Sequence, residues 1–244
     1  MAEIILDVAP NTFKNDLYYF DKMVKFIKKI DTNKYDIIFK TQMFGGLSEA
    51  AKVNIRLDNS LLKEMNIICE GYGYKFTSSV FDYYSLVCLL GAGFPVPFVK
   101  LACRPELYYL SAHIPRGIPI YMSVDTRKFS SVNALNQEIE ILAKRRKMIL
   151  RDQGIEGAKF LLCVPEYPCK ESDYQFNLFN RSISDHTEGL KLFDRWENDN
   201  AFVDELTRNQ SNCCFEMHYV LDRDQSNPDA GSFAKTISEL SLIL

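Results

Sequence analysis

Eight short apolar segments alternate with segments of helical period along 244 residues, and polar residues gather at the C-terminal ends of the apolar segments. These observations predict an α/β fold, a single (β/α)8 TIM barrel occupying residues 1–244. The length agrees, since one such barrel takes about 250 residues. An open doubly wound sheet is disfavoured because no glycine-rich phosphate loop follows the first apolar segment. No linker, low-complexity stretch or sequence repeat divides the chain.

The first strand is AEIILDV, Ala2 to Val8. Asn15 or Asp16 then caps a helix whose Leu17, Phe20, Val24 and Ile27 make one apolar stripe. Tyr35 to Gln42 is the second strand, and a long connection with a glycine pair at 45–46 leads to a helix near Ser60 to Cys69. Tyr74 to Val80 is the third strand, and Asp82 opens the helix that runs to about Leu90. Phe98 to Cys103 is the fourth, followed by a helix starting near Pro105. Ile118 to Asp125 is the fifth, before a helix with Val132, Leu135, Ile139 and Leu142 in register. Lys159 to Val164 is the sixth strand, and SISDHT (Ser182 to Thr187) the seventh, with a helix carrying Leu190, Phe193 and Trp196. The eighth begins NCCFEMHY at Asn212, and a last helix runs from about Ser232 to the end.

Composition narrows the function. Hydrophobic residues at 47% and charged residues at 25% suit a globular protein with an ample core. A net charge of −3 without a long block of like charge weighs against nucleic acid or an anionic membrane as the main partner. Lys144 to Lys147 is a short basic run, best read as a solvated helix face. No stretch reaches the roughly 18 apolar residues of a membrane span, and MAEIILDVAP lacks a leader's basic segment. Seven cysteines follow no scaffold pattern and form no CxxC pair, which disfavours a thiolate zinc site. Cys103, Cys163, Cys213 and Cys214 fall inside strand segments, so the cysteines read as reduced and the location as cytoplasmic.

Chemistry in such a barrel sits at the C-terminal strand ends. Inward parity there gives Glu3 with Asp7, Lys40 with Gln42, Ser79, Lys100, Ser123 with Asp125, Ser184 with His186, and Glu216 with His218. An acid and an imidazole on one face of an apolar strand are costly to bury unless they bind something. A lone histidine is more often a core or rim residue. Two of the chain's three histidines at neighbouring strand ends make a metal site the stronger expectation. Asp185 and Asp229 could orient ligating groups, and Asp229 could equally be a turn residue. His113 is expected away from the site.

These segments resemble, in order, those of the N-acetylneuraminate synthase (NeuB-like) family. AEI at 2–4 and IIFKTQ at 37–42 resemble its first two strands. SSVFDYYSLVCLLGAG at 78–93 resembles STPFD…S…L…G, KLACRPE at 100–106 resembles KIASGE, and GIPIYMSVD at 117–125 resembles GKPIILSTG. LLCVPEYPC at 161–169 is similar to LHCVSEYPTP. The most specific matches are SISDHTEG at 182–189, close to GLSDHTLG, and FEMHYVLDRDQSNPDAGSF at 215–233, close to IEKHFTLDRNLPGPDHKAS.

The resemblance implies an enzyme condensing phosphoenolpyruvate with an aldehyde or amino-sugar acceptor. His186 and His218 would bind a divalent cation, manganese or magnesium, which would polarise the aldehyde. Lys40 and Lys100 would hold the phosphoenolpyruvate anion, with Ser123 and Ser184 adding hydroxyl donors. Glu3 and Glu216 would hydrogen-bond sugar or water, and Glu106 would act as an acid–base group. In the family an antifreeze-like C-terminal domain gives an arginine to the partner's site, which implies a homodimer, yet no counterpart of that domain follows the barrel segments here. Other departures are one extra residue between Lys100 and Glu106, Cys103 in place of serine, Pro165 in place of a phosphate donor, and NPD for GPD at 227–229. A different metal-dependent lyase or aldolase, or a non-catalytic ligand- or protein-binding relative, is the alternative to the condensing enzyme.

Overall fold

The computed structural model describes residues 1–14, 16–44, 57–115, 117–129, 131, 133–134, 137, 141, 158–174, 178, 181–201, 213–227 and 229–244. Eight parallel strands close into a barrel in sequence order. They are β1 (Glu3–Asp7), β2 (Asp36–Met43), β3 (Lys75–Val80), β4 (Val99–Leu101), β5 (Ile120–Asp125), β6 (Ala158–Cys163), β7 (Ser182–Asp185) and β8 (Cys214–His218). Around them lie α1 (Pro10–Phe13), α2 (Leu17–Ile30), α3 (Asn59–Gly71), α4 (Tyr83–Gly91), α5 (Lys191–Ala201) and α6 (Ile237–Leu240).

Carboxylate caps set the helix starts. Asp16 accepts from the N–H groups of Tyr18 and Tyr19, and Asp58 from that of Leu61. Asp82 and Ser85 form a reciprocal capping box at α4. Two expected elements differ. The segment after β4, Pro105–His113, is a 3-10 helix, and the last helix is a single turn at Ile237–Leu240. The basic run at 144–147, most of the helix expected around Val132 to Leu142 and most of the connection from Met43 to Asn59 lie outside the described residues.

Alternation along each strand divides the core. On β1, Ile4 and Leu6 face the helices, while Glu3, Ile5 and Asp7 face the barrel axis. The outer compartment includes a cluster in which Trp196 and Phe193 lie 5.2 Å and 5.1 Å from Phe215. Inside the barrel, Ile5, Ile38, Phe98, Tyr121, Leu161 and Cys214 form an apolar plug. Phe98 and Tyr121 stack within it at 3.9 Å. The plug is the floor on which the polar C-terminal mouth is built. All seven cysteines are free thiols, and no described helix is long and apolar enough to cross a membrane.

Candidate active site

Above the plug, at the C-terminal strand ends, lies a cavity of about 470 Å³. Strand register assembles its walls. Asp7 pairs across to Lys40 on β2 and His218 on β8, Ser79 to Lys100, and Ser184 to Glu216. Of the residues expected at the site, Lys40, Lys100, Ser123, Ser184, His186, Glu216 and His218 all line this cavity.

Two ion pairs occupy its floor. The Lys40 ammonium donates to Asp7 Oδ2 at 2.6 Å and to Ser79 Oγ at 2.8 Å. The Lys100 ammonium contacts both Glu216 oxygens, at 2.6 and 2.7 Å, and Ser184 donates to Glu216 Oε1 at 2.7 Å. Burial opposes the charge on Lys40, but Asp7 and Glu216 outweigh it and hold its pKa above the ordinary lysine value. Burial likewise opposes ionisation of Glu216, yet Lys100 and Lys40 hold its carboxyl far below the usual range. Lys40 is therefore held as an ammonium and Glu216 as a carboxylate.

The histidines line the cavity beside these pairs, their ring centres 5.7 Å apart. His186 Nδ1 lies 2.8 Å from the Val164 carbonyl oxygen, so it carries the proton and leaves Nε2 with the free lone pair. Burial, then the neighbouring imidazole of His218, push the His186 pKa down to about 3, which keeps the ring neutral. The Tyr167 ring lies 4.0 Å from His186 and 5.7 Å from His218. Two buried polar atoms on this side, Asp7 Oδ1 and His218 Nδ1, find no hydrogen-bond partner among the described residues. A neutral His186 imidazole, with the His218 ring and two unpartnered polar atoms beside it, fits a divalent cation whose remaining ligands are water or substrate oxygen. Among the described residues no cluster of three histidine, cysteine or acidic ligands forms.

Two expected catalytic residues are elsewhere. Glu3 has the inward parity but sits at the N-terminal end of β1, beneath the plug, where it accepts from Tyr121 Oη at 2.7 Å and Lys159 Nζ at 2.6 Å. Asp7, four residues on and therefore about 13 Å further along the strand, is the β1 residue that reaches the mouth. Glu106 is exposed in the first turn of the 3-10 helix and does not line the cavity. Cys103 and Arg104, earlier in the same segment, line the cavity instead. His113 packs between Tyr83 and Tyr109, away from the site.

Sequence reasoning left Asp229 undecided between turn and site. It lines the cavity, is held by Asn11 Nδ2 at 2.8 Å, and has its carboxyl pKa raised by burial. Phe44, Phe81, Arg104, Cys163 and Tyr167 also line the cavity; their positions after strand ends were the available signal. Lys235 carried none. It is fully buried, donating to the Thr187 carbonyl at 2.6 Å and pairing with Asp185 at 3.0 Å, and so ties the β7 end to the segment after β8.

No family model matches the chain, and no curated protein matches it in sequence. Solved structures share its fold. The N-acetylneuraminic acid (sialic acid) synthetase of Leptospira borgpetersenii serovar Hardjo-bovis, solved with citrate, matches with a TM-score of 0.67 at 19% identity, over 98% of this chain and 80% of that one. A protein assigned to spore coat polysaccharide biosynthesis in Chromobacterium violaceum matches with a TM-score of 0.71 at 14% identity, over 99% and 72%. The spore coat polysaccharide biosynthesis protein spsE of Bacillus subtilis matches with a TM-score of 0.64 at 17% identity, over 99% and 65%. The likeness is one of fold.

Proposed function

We propose that the chain is a metal-dependent enzyme that condenses phosphoenolpyruvate with an aldehyde, an aldose or amino sugar, to give a sialic-acid-like 2-keto-3-deoxy acid. The observation that carries this reading is the convergence of Lys40, Lys100, Ser184, Glu216, His186 and His218 on one cavity at the C-terminal mouth. The enol carbon of phosphoenolpyruvate would attack the aldehyde, water would add at C2, and phosphate would leave by C–O cleavage. Citrate, a small polycarboxylate, in the Leptospira enzyme supports a barrel of this kind holding small anions.

An ammonium group has three donors. Lys40 directs two at Asp7 and Ser79, and the two Lys100 contacts both go to Glu216, so each lysine keeps an N–H for a phosphate or carboxylate oxygen. Ser123 and Ser184 add hydroxyls beside them. Glu216, locked as a carboxylate, is a poor proton acceptor, and its work is to hold Lys100 and Ser184 in place. Asp229, whose pKa burial raises, is the better proton acceptor of the two carboxylates. His186 and His218 would hold manganese or magnesium, and the bound ion would supply Lewis-acid polarisation of the aldehyde oxygen. Two ammonium groups facing two carboxylates leave the floor without net charge, so phosphoenolpyruvate needs further positive charge to bind tightly.

That same charge balance favours a second reading, a metal-dependent lyase or aldolase acting on a neutral sugar. Calorimetry of phosphoenolpyruvate with the protein, with and without manganese, separates the two, followed by phosphate release over a panel of aldoses. Manganese-dependent binding and aldose-dependent phosphate release are expected. Absence of phosphoenolpyruvate binding to the manganese-loaded protein would overturn the condensing reading and leave the second.

A further inference from the structure

We infer that Arg104 is a specificity-determining residue that reads an anionic substituent, phosphate or carboxylate, on the aldehyde substrate. The inference rests on the site reading above and deepens it. Lys40 and Lys100 line the cavity at 1% and 2% exposure, each against a carboxylate. Arg104 also lines it, but from the exposed rim, and among the described residues no carboxylate pairs with it. A solvated arginine without an ion pair is ordinary at a surface; one fixed at the edge of a substrate-sized cavity is not.

The rim holds it in place. The Arg104 guanidinium carbon lies 5.7 Å from the centre of the Phe81 ring, and Phe81 stacks on Phe44 at 4.2 Å. The Phe81 N–H donates to Ser85 Oγ at 3.0 Å, which anchors the platform to the capping box of α4. The Arg104 backbone N–H donates to the Ala102 carbonyl at 2.7 Å, and its carbonyl accepts from Leu107 at 2.9 Å. Two aromatic rings beside a pre-oriented guanidinium suit a sugar whose C–H face rests on phenylalanine and whose charged substituent takes a forked pair of N–H bonds. The buried lysines take the substrate part at the floor, so the group that reaches the rim belongs to the second substrate. Its charge is also one that the neutral floor cannot offset.

Manganese-loaded wild type, Arg104→Ala and Arg104→Lys are titrated by calorimetry with mannose, mannose 6-phosphate and glucuronate, and separately with phosphoenolpyruvate. Wild type should bind one of the two charged sugars about tenfold or more tightly than mannose, and which one assigns phosphate or carboxylate. Arg104→Ala should lose that preference, Arg104→Lys should keep part of it, and phosphoenolpyruvate affinity should stay within about twofold in both. An unchanged preference in Arg104→Ala, no preference in wild type, or an equal loss of phosphoenolpyruvate binding would each overturn the assignment. An Arg104-dependent preference in a protein that does not bind phosphoenolpyruvate would uphold it and overturn the condensing reading alone.

Discussion

The Lys100 ammonium lies against both carboxylate oxygens of Glu216, at 2.6 and 2.7 Å, on a floor where each side chain is almost fully buried. Removing one partner of such a pair strands the other charge away from water. Lys100→Met should therefore destabilise the fold by about 3–5 kcal/mol. The double variant Lys100→Met/Glu216→Leu, with no stranded charge, should recover most of that loss. Thermal unfolding of both decides it: a double variant as unstable as the single one would show that the pair is not the source of the cost.

A cation held between His186 and His218, as proposed, would stabilise the folded chain by linkage, by about 2.7 kcal/mol at a hundredfold excess over Kd. Manganese should raise the melting temperature of wild type, and His186→Ala and His218→Ala should each lose that rise while staying folded. If both variants respond like wild type, the ion binds elsewhere.

The barrel was legible because its strands are short apolar runs at regular intervals and two of its helices open on the aspartates at 16 and 82. Parity was legible too, which is why seven of the nine expected site residues meet in one cavity. Height along the strand was not taken from parity. Glu3 and Asp7 share a face, but only Asp7 lies above the plug. Glu106 was misplaced for a local reason, since it falls in the exposed first turn of the 3-10 helix that Pro105 starts. Long-range partners such as Asn11 with Asp229, or Lys235 with Asp185, leave no periodic trace in the sequence.

Several buried tyrosines make the fold sensitive to alkali. Burial, reinforced by Glu197, pushes Tyr35 from 10.0 up to about 12, and burial also raises Tyr74, Tyr121 and Tyr219. A raised folded-state pKa means that the folded chain binds more protons than the unfolded one above pH 10. Its stabilising contribution is therefore full below pH 10 and lost as pH climbs through the folded-state values. Absorbance at 295 nm should show one set of tyrosines ionising near pH 10 and another only as the fold is lost. Tyr35→Phe should flatten the pH 10–12 part of the stability profile. A single ionisation step with the fold intact would contradict this.

Asp7 and Glu3 allow the clearest test of which end of β1 serves the site. Asp7 Oδ2 neutralises Lys40 at 2.6 Å and lies 3.8 Å from His218 Nε2. Asp7→Asn would keep an oxygen for Lys40 and remove one negative charge, leaving the cavity floor with a net positive charge. Phosphoenolpyruvate affinity without metal should then rise by about tenfold, since a unit charge a few ångströms away in a partly buried site is worth more than 1 kcal/mol. Glu3→Gln removes the same charge below the apolar plug, where Lys159 already balances it. Its phosphoenolpyruvate affinity should stay within about twofold of wild type, while stability falls because Lys159 and Tyr121 lose a charged partner. Calorimetry on the two variants side by side reads both effects. Equal changes in affinity would mean that the ligand does not distinguish the two ends of the barrel and that Asp7 has no privileged place in the site.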